Sequence, residues 1–516
     1  MRMNGADALV GTLLAGGIDT CFANPGTSEM HLVAALDRTS SVRCVLGLFE
    51  GVVTGMADGY ARMADKPAAT LLHLGPGLGN GIANLHNARK ARTPMVNIVG
   101  EHAAYHRGFD APLTSDIEGL ARPVSHWVET SRSAQALGTD TARAIHEAHG
   151  VPGKIATLIV PADAAWGEGG AIGQLAPSRK PPAPDMAAIA KAAELLRNGR
   201  GVALMIGGAA LREPGLGLAA RIAAQTGARL LGPTSGARAR VGAGVPMVER
   251  VPYPILRARE VLADIRTLVL VGVDEPVAFF AYPGQPSKPL PQDSAVHCAA
   301  SVEEDALAAL AMLAELLGAD KASPVLQPAA EPASPSGELD LEKLAASVAT
   351  LLPEDTILVD ESITSSFVLL PRLRAAKAHD FLQLTGGAIG IGLPLATGAA
   401  VGAPGRKVVC LQADGSGMYT PQALWTQARE KLDVVTVVLA NRAYATLRGE
   451  FKSVGIDNPG PNALTMLDLA NPELRWADMA RSMGVEACRV TTAEAFAAAF
   501  EAAGRQTGPF LIEAMI

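Results

Sequence analysis

The 516-residue sequence has few aromatics, at 4%, and little charge, at 18%, against 49% hydrophobic residues. That balance excludes wholesale disorder and leaves material for a large core. Scarce rings beside plentiful Ala, Gly and Val suit tightly packed helices and sheets, an α/β protein. No run of five basic residues occurs and the net charge is −7, so nucleic acid is not an expected partner. No apolar stretch approaches the ~20 residues that span a bilayer; Val434–Ala440 reads as a buried strand by its length. Residues 1–17 carry no secretory pattern. Asp7 interrupts them, and Ala6, Leu9, Val10, Leu13 and Leu14 share one helix face. A cytoplasmic protein without membrane contact is expected. The five cysteines, Cys21, Cys44, Cys298, Cys410 and Cys488, form no C-x-x-C pair. Neither a disulfide framework nor a zinc site is expected, and buried reduced thiols are.

The length suggests about three domains. Two stretches read as extended connectors: 167–185, rich in Gly and Pro, and 321–337, with Pro324, Pro328, Pro332 and Pro335. They divide the chain into 1–166, 186–320 and 338–516. Each block alternates β-branched runs with amphipathic helical patterns. Strands are expected at 42–49, 68–73 and 95–99, at 202–206 and 267–271, and at 356–359, 407–412 and 434–440. Such alternation implies three doubly wound, parallel-sheet domains.

The sharpest chemical signal lies in the third block. The strand 407–412 leads into Ala413-Asp414-Gly415-Ser416-Gly417, a helix over about 421–431 follows, and the strand 434–440 ends at Asn441. A helix advances ~1.5 Å per residue and a strand ~3.3 Å, so the helix and the returning strand cover similar distances. Asp414 and Asn441 should meet at the carboxyl ends of neighbouring strands, where open α/β sheets bind ligands. One carboxylate and one amide oxygen are hard ligands, too few for Mg²⁺ alone. A diphosphate and a backbone carbonyl, Ala443 being the candidate, would complete the set. Gly415 and Gly417 let the backbone approach phosphate, and Ser416 can donate to it.

This arrangement resembles the thiamine-diphosphate motif, G-D-G followed after some 25–30 residues by N-N. Ala413 replaces the first Gly and Ala440 the first Asn; neither lost side chain supplies a ligand in that family. The first block matches independently. Glu50-Gly51 through Gly55, Ala57-Asp58-Gly59-Tyr60-Ala61, then a glycine loop Gly75-Pro76-Gly77 after His73, resemble the pyrimidine-binding domain. The resemblance makes Glu50 the carboxyl that activates the cofactor by bonding its pyrimidine, which leads to a C2 ylide and, with substrate, an enamine. Such a carboxyl works best in an apolar setting, which Leu48 and Phe49 are expected to supply. Gly51, Gly55 and Gly59 recur one turn apart and should allow close helix packing. By the same resemblance Ile389 in Gly386-Gly387-Ala388-Ile389 is the wedge that bends the cofactor, and the Gly387 carbonyl receives its amino group. Thr364, Asn80 and Tyr444 join the cofactor-binding set.

Within the family the chain most resembles benzoylformate decarboxylase. Asn24-Pro25-Gly26-Thr27-Ser28-Glu29 parallels its N-P-G-S-N-E, which places Thr27 at a substrate-contacting Ser, and His73 falls on a catalytic His. One departure stands out. That enzyme brings a second His from the middle domain, just before a P-G-Q turn, where this chain has Phe279-Phe280-Ala281-Tyr282-Pro283-Gly284-Gln285. The expected function is a 2-oxo acid decarboxylase/carboligase with thiamine diphosphate and Mg²⁺, slow to protonate its enamine and so inclined to ligate. The acetolactate synthase large subunit is the main alternative. That family usually binds FAD in its middle domain; Gly207-Gly208-Ala209 is too weak to show this, and FAD is not expected. A non-catalytic, cofactor-binding relative is the third reading, opposed by the joint presence of Glu50, His73, Asp414 and Asn441. Resemblance further implies a homodimer or homotetramer with shared active sites, a 2-oxo acid substrate, and an aldehyde or second 2-oxo acid as acceptor.

Overall fold

The computed structural model describes residues 3–516 and contains three sheets. The first is built from β1 (Thr20–Asn24), β2 (Arg43–Leu46), β3 (Ala68–Leu72), β4 (Met95–Glu101), β5 (Trp127–Thr130) and β6 (Ile155–Pro161), in the order β2-β1-β3-β4-β6-β5. All its pairs are parallel. The middle segment supplies β7 (Val202–Ile206), β8 (Arg229–Gly232), β9 (Ala239–Val241), β10 (Glu249–Arg250), β11 (Thr267–Val271) and β12 (Ala295–Ala300). Its sheet runs β10-β8-β7-β11-β12. The third sheet comprises β13 (Ile357–Glu361), β14 (His379–Gln383), β15 (Val408–Ala413), β16 (Val434–Ala440), β17 (Glu486–Val490) and β18 (Phe510–Met515). It runs β17-β18-β16-β15-β13-β14-β9.

The strands β7, β11 and β16 fall where the apolar runs place them. Every residue of β4 and β16 is buried, because helices cover both faces of a parallel sheet. The third sheet departs from the parallel expectation at one edge. Strand β9, from the middle segment, pairs antiparallel with β14, His379 opposite Val241 and Phe381 opposite Ala239. Arg238 precedes that pairing and Arg240 lies opposite Asp380 within it, and both reach Asp380, at 2.9 and 3.8 Å. Ion pairing selects this edge, a signal that hydrophobic periodicity does not carry.

Helix Glu50–Ala64 is buried nearly all round. It crosses helix Gly392–Gly402 of the third segment through small faces: a methyl group on Gly59 would strike the Leu395 carbonyl, and one on Gly398 the Met56 carbonyl. Gly55 faces Pro394 in the same seam, whereas Gly51 instead packs under the Phe49 ring. Through this seam the first and third sheets share one apolar core, running from Val52 and Met56 to Leu393 and Leu395. The middle sheet keeps cores of its own around Leu204 and Leu268.

Several expectations need correction. The first expected strand ends early, at Leu46, and Glu50 opens a helix instead of closing a strand. The stretch 74–80 is no loop but the start of helix Leu74–Ala91. Its glycines serve close packing: Gly75 meets the Ser115 hydroxyl and Gly81 the Thr54 methyl. Cys21 and Cys410 are buried, but Cys44 and Cys298 are exposed on strands at sheet edges. Leu48 is exposed and Phe49 half-buried, so the apolar surroundings of Glu50 come less from them than expected. Among the described residues no helix is long and apolar enough to cross a membrane.

Candidate active site

The candidate residues gather in two places. The first lies at the carboxyl ends of β1 and β3. Thr27 and Glu29 sit on the short helical turn Thr27–Glu29 that follows β1, and His73 caps β3. The His73 ring lies so close over Gly26 that any Cβ there would collide with it. Its Nδ1 is 2.7 Å from Glu29 Oε2, which also accepts the Gly26 N–H at 2.7 Å. An oxygen already accepting one N–H acts as an acceptor, so His73 donates Nδ1–H and keeps its lone pair on Nε2. Glu29 is fully buried, and burial pushes its carboxyl up while Gly26 and His73 oppose the rise. The sequence motif gives Glu29 no role of its own. Nothing local to the sequence announces that it reaches a residue 44 positions away.

Glu50 lies beside this pair. Its Oε2 accepts from Asn80 Nδ2 at 3.0 Å. A Cβ on Gly77 would lie 2.8 Å from Glu50 Oε1 and 3.3 Å from His73 Cβ, so the helical glycine lets both side chains approach. Glu50 is 7% exposed, while Thr27 and Asn80 are exposed. Thr27, Glu50, His73 and Asn80 thus form a face on the first sheet, with Glu29 buried behind His73.

The second gathering is a cavity of about 1680 Å³ lined by the middle and third segments and, along one side, by Ala61, Arg62 and the 90–94 stretch of the first. Strands β15 and β16 pair with Ala413 opposite Leu439, so their following turns adjoin. Asp414 Oδ2 accepts the Arg442 N–H at 2.7 Å and Oδ1 the Gly415 N–H at 2.8 Å. Burial pushes the Asp414 carboxyl up, and these two donors oppose it. Asn441 Oδ1 accepts from Ala443 N at 3.0 Å, which shapes the second turn. Asp414, Asn441 and Ala443 all line the cavity. Gly415 lets the Tyr444 ring close over the turn, as a Cβ would lie 2.6 Å from that ring. Ser416 is more committed than expected, since its hydroxyl accepts from Gln412 Nε2 at 2.8 Å and donates to Ala413 O at 3.3 Å. Thr364 lines the same cavity and shares a hydrogen bond with Thr446.

Gly387 and Ile389 form another part of the wall. Gly387 has φ +79° and Gly390 φ +94°, both left-handed, which favours glycine. The Phe279 ring rests on this loop, with its Cζ 2.5 Å from where a Gly387 Cβ would stand. The loop is held from behind by helix Leu74–Ala91: His86 Nε2 bonds Gly386 O, and Asn87 Nδ2 donates to Ala388 O at 2.7 Å. None of Thr27, Glu50, His73 and Asn80 lines the cavity.

Two family descriptions match the chain. The thiamine pyrophosphate enzyme N-terminal TPP binding domain covers residues 3–126, and the C-terminal TPP binding domain covers 365–514. A Mycobacterium tuberculosis protein named "Putative acetolactate synthase large subunit IlvX" is 51% identical over 100% of this chain and 99% of its own. The chain belongs to the thiamine pyrophosphate enzyme family. Benzoylformate decarboxylase of Pseudomonas aeruginosa is 30% identical over 96% of each chain. The solved structure of a Rhodococcus jostii thiamine diphosphate-dependent 4-hydroxybenzoylformate decarboxylase superimposes with TM-score 0.86 at 25% identity, covering 99% of this chain and 98% of that one. This family member is thus a thiamine-diphosphate-dependent enzyme related to benzoylformate decarboxylase and to acetolactate synthase large subunits, with Mg²⁺ the usual metal of the family. The donor set fits that pair of groups: Asp414 and Asn441 bring hard oxygens to a cavity wall.

Proposed function

We propose that the enzyme is a 2-oxo acid decarboxylase/carboligase in which joining to a second carbonyl outruns release of a simple aldehyde. The observation that carries this reading is the Phe279 ring seated on Gly387, with Phe280 edge-on and Tyr253 tilted against it. This aromatic group occupies the place where benzoylformate decarboxylase is expected to bring its second His. Neither Phe can move a proton. Tyr282 donates its hydroxyl to Glu450 Oε2 at 3.0 Å, and burial together with Glu450 pushes that phenol far up. That hydroxyl is committed to Glu450.

When bound, thiamine diphosphate supplies a nucleophilic carbon and the sink for the electrons of the bond broken next to the 2-oxo carbonyl. Asp414 and Asn441, with the Ala443 carbonyl, are assigned to Mg²⁺; Gly415, Ser416, Thr364 and Tyr444 border the diphosphate. Ile389 and the Gly387 carbonyl orient the pyrimidine end. Glu50 presents its carboxyl to the pyrimidine, steadied by Asn80 at 3.0 Å. His73 Nε2 takes and returns the proton of the substrate hydroxyl, since Glu29 fixes Nδ1–H. Thr27 offers a hydroxyl to the substrate from the turn beside it. The first-sheet face and the cavity occupy separate surfaces, which supports an assembly of two or more copies with sites completed between chains.

A second reading, acetolactate synthesis from two 2-oxo acids, is favoured by the 51% identical relative. Purified enzyme given pyruvate, phenylglyoxylate or branched 2-oxo acids, with and without an acceptor aldehyde, separates the two by mass spectrometry of products. A carboligated product in excess of free aldehyde, and more aldehyde from Phe280→His, is expected. Acetolactate from pyruvate alone selects the second reading, and rapid aldehyde release with negligible ligation overturns both.

A further inference from the structure

Glu361 ends β13 and is 1% exposed. Its partners are all hydrogen-bond donors. Oε1 accepts the Gly390 N–H at 2.5 Å, and Oε2 accepts the Gly392 N–H at 2.6 Å and Gln412 Nε2 at 3.1 Å. A buried carboxylate is costly unless its hydrogen bonds are made. Here both oxygens are spent on one loop, residues 386–392. Gly392 is required for this contact, because its Cβ would lie 2.8 Å from Glu361 Oε2 and closer still to Gln412 Oε1. Burial pushes the Glu361 carboxyl up to about 7, against the pull of the Gly392 and Gly390 donors. Gln412 extends the chain of contacts, donating to Ser416 Oγ at 2.8 Å in the turn that begins with Asp414.

We infer that Glu361 is a positioning residue: it locks the 386–392 loop, which carries Gly387 and Ile389, and through Gln412 ties that loop to the Asp414–Gly417 turn. The inference rests on the proposed reading that Ile389 and Gly387 hold the pyrimidine end of the cofactor while the Asp414 turn holds its diphosphate. The loop is pinned at its Gly386 end by Asn87 and His86 from the first segment. Glu361 and Gln412 connect it to the metal turn through side-chain hydrogen bonds, and Thr420, whose hydroxyl donates to Gly390 O at 2.8 Å and whose N–H donates to Gly417 O at 3.2 Å, adds a second tie between the two. The carboxylate thereby helps set the spacing between the two surfaces that grip opposite ends of one ligand.

The test uses Glu361→Gln in the full chain. The amide keeps the volume, but its NH₂ must face a backbone N–H of Gly390 or Gly392. Hydrogen exchange in the cofactor-free protein should speed up at those amides, and thiamine diphosphate with Mg²⁺ should bind about ten- to hundredfold more weakly, the weight of a lost charged hydrogen bond. The KM for the 2-oxo acid at saturating cofactor should not change. Ile389→Ala should weaken cofactor binding by itself, and the double variant should lose no more than the worse single, because both act through one loop. Fully multiplicative losses, or unchanged exchange at Gly390 and Gly392, would overturn the inference. Unchanged affinity in Ile389→Ala would instead overturn the reading of the loop as a cofactor wedge. Should Glu361→Gln not fold, Gln412→Ala removes one link alone; cofactor affinity unaltered in that variant would count against the coupling.

Discussion

The first sheet carries its candidate groups on one face, on the turn after β1, at the end of β3 and at two helix starts, whereas the third sheet presents its own around a cavity. Both sets stand at the carboxyl ends of parallel strands, where loops are free to vary. Glu50 and His73 are held by neighbours of their own segment, Asn80 and Glu29. The cavity loop is held by three segments at once, with Phe279 from the middle, Asn87 from the first and Glu361 from the third. The contrast separates, in the proposed reading, a surface for proton handling from one for gripping a ligand, each completing the other between chains.

The largest effect should come from the gripping surface. Asp414→Ala removes the carboxylate of the proposed metal pair, and Mg²⁺-dependent retention of thiamine diphosphate should fall by roughly a hundredfold or more. Isothermal titration with and without chelator checks it; full affinity in the absence of metal would cancel the metal assignment.

Glu50→Gln tests the other surface and should break the parallel. Cofactor affinity should stay near that of the parent, while turnover drops about 10²–10⁴-fold, the usual weight of a general acid–base group. Unchanged turnover would remove Glu50 from the mechanism. A comparable loss of affinity in both variants would erase the division between the two sheets.

The smallest effect on activity concerns the ionic edge of the third sheet. Burial pushes the Asp380 carboxyl up, but the Arg238 and Arg406 guanidiniums, which Asp380 meets at 2.9 and 2.7 Å, prevail and hold it below the ordinary range. A carboxyl lowered on folding contributes stability that is complete above its unfolded pKa and vanishes as pH falls through the folded one. Asp380→Asn should cost a few kcal/mol at neutral pH and progressively less in acid below the ordinary carboxylate range. Denaturant melts across pH 2–7 would show it, and a pH-independent gap between variant and parent would refute the pairing.

The sequence revealed the third-block site well because a strand, turn, helix and strand follow one another, so that spacing alone brings Asp414 beside Asn441. It showed β7, β11 and β16 for the same reason: buried parallel strands are continuous apolar runs. It hid what depends on distant partners. The Glu29–His73 contact, the β9 edge and the Glu361 anchor each join residues far apart in the chain. The stretch 74–80 was misread because glycines that permit close packing look like glycines that make a turn. The hydroxyl chemistry that made Ser416 a candidate phosphate donor did not foresee Gln412, which engages that hydroxyl from within the site.

The central claim is that the first-sheet face of one chain completes the cavity of another, and mixing inactive variants tests it most directly. Glu50→Gln and Asp414→Ala chains are unfolded together, refolded with thiamine diphosphate and Mg²⁺, and assayed. Half of the dimers should be mixed, and half of their sites should combine an intact Glu50 with an intact Asp414, which restores about a quarter of the parent activity. Activity no higher than that of the two variants assayed separately would place Glu50 and Asp414 in one site of one chain and contradict the account.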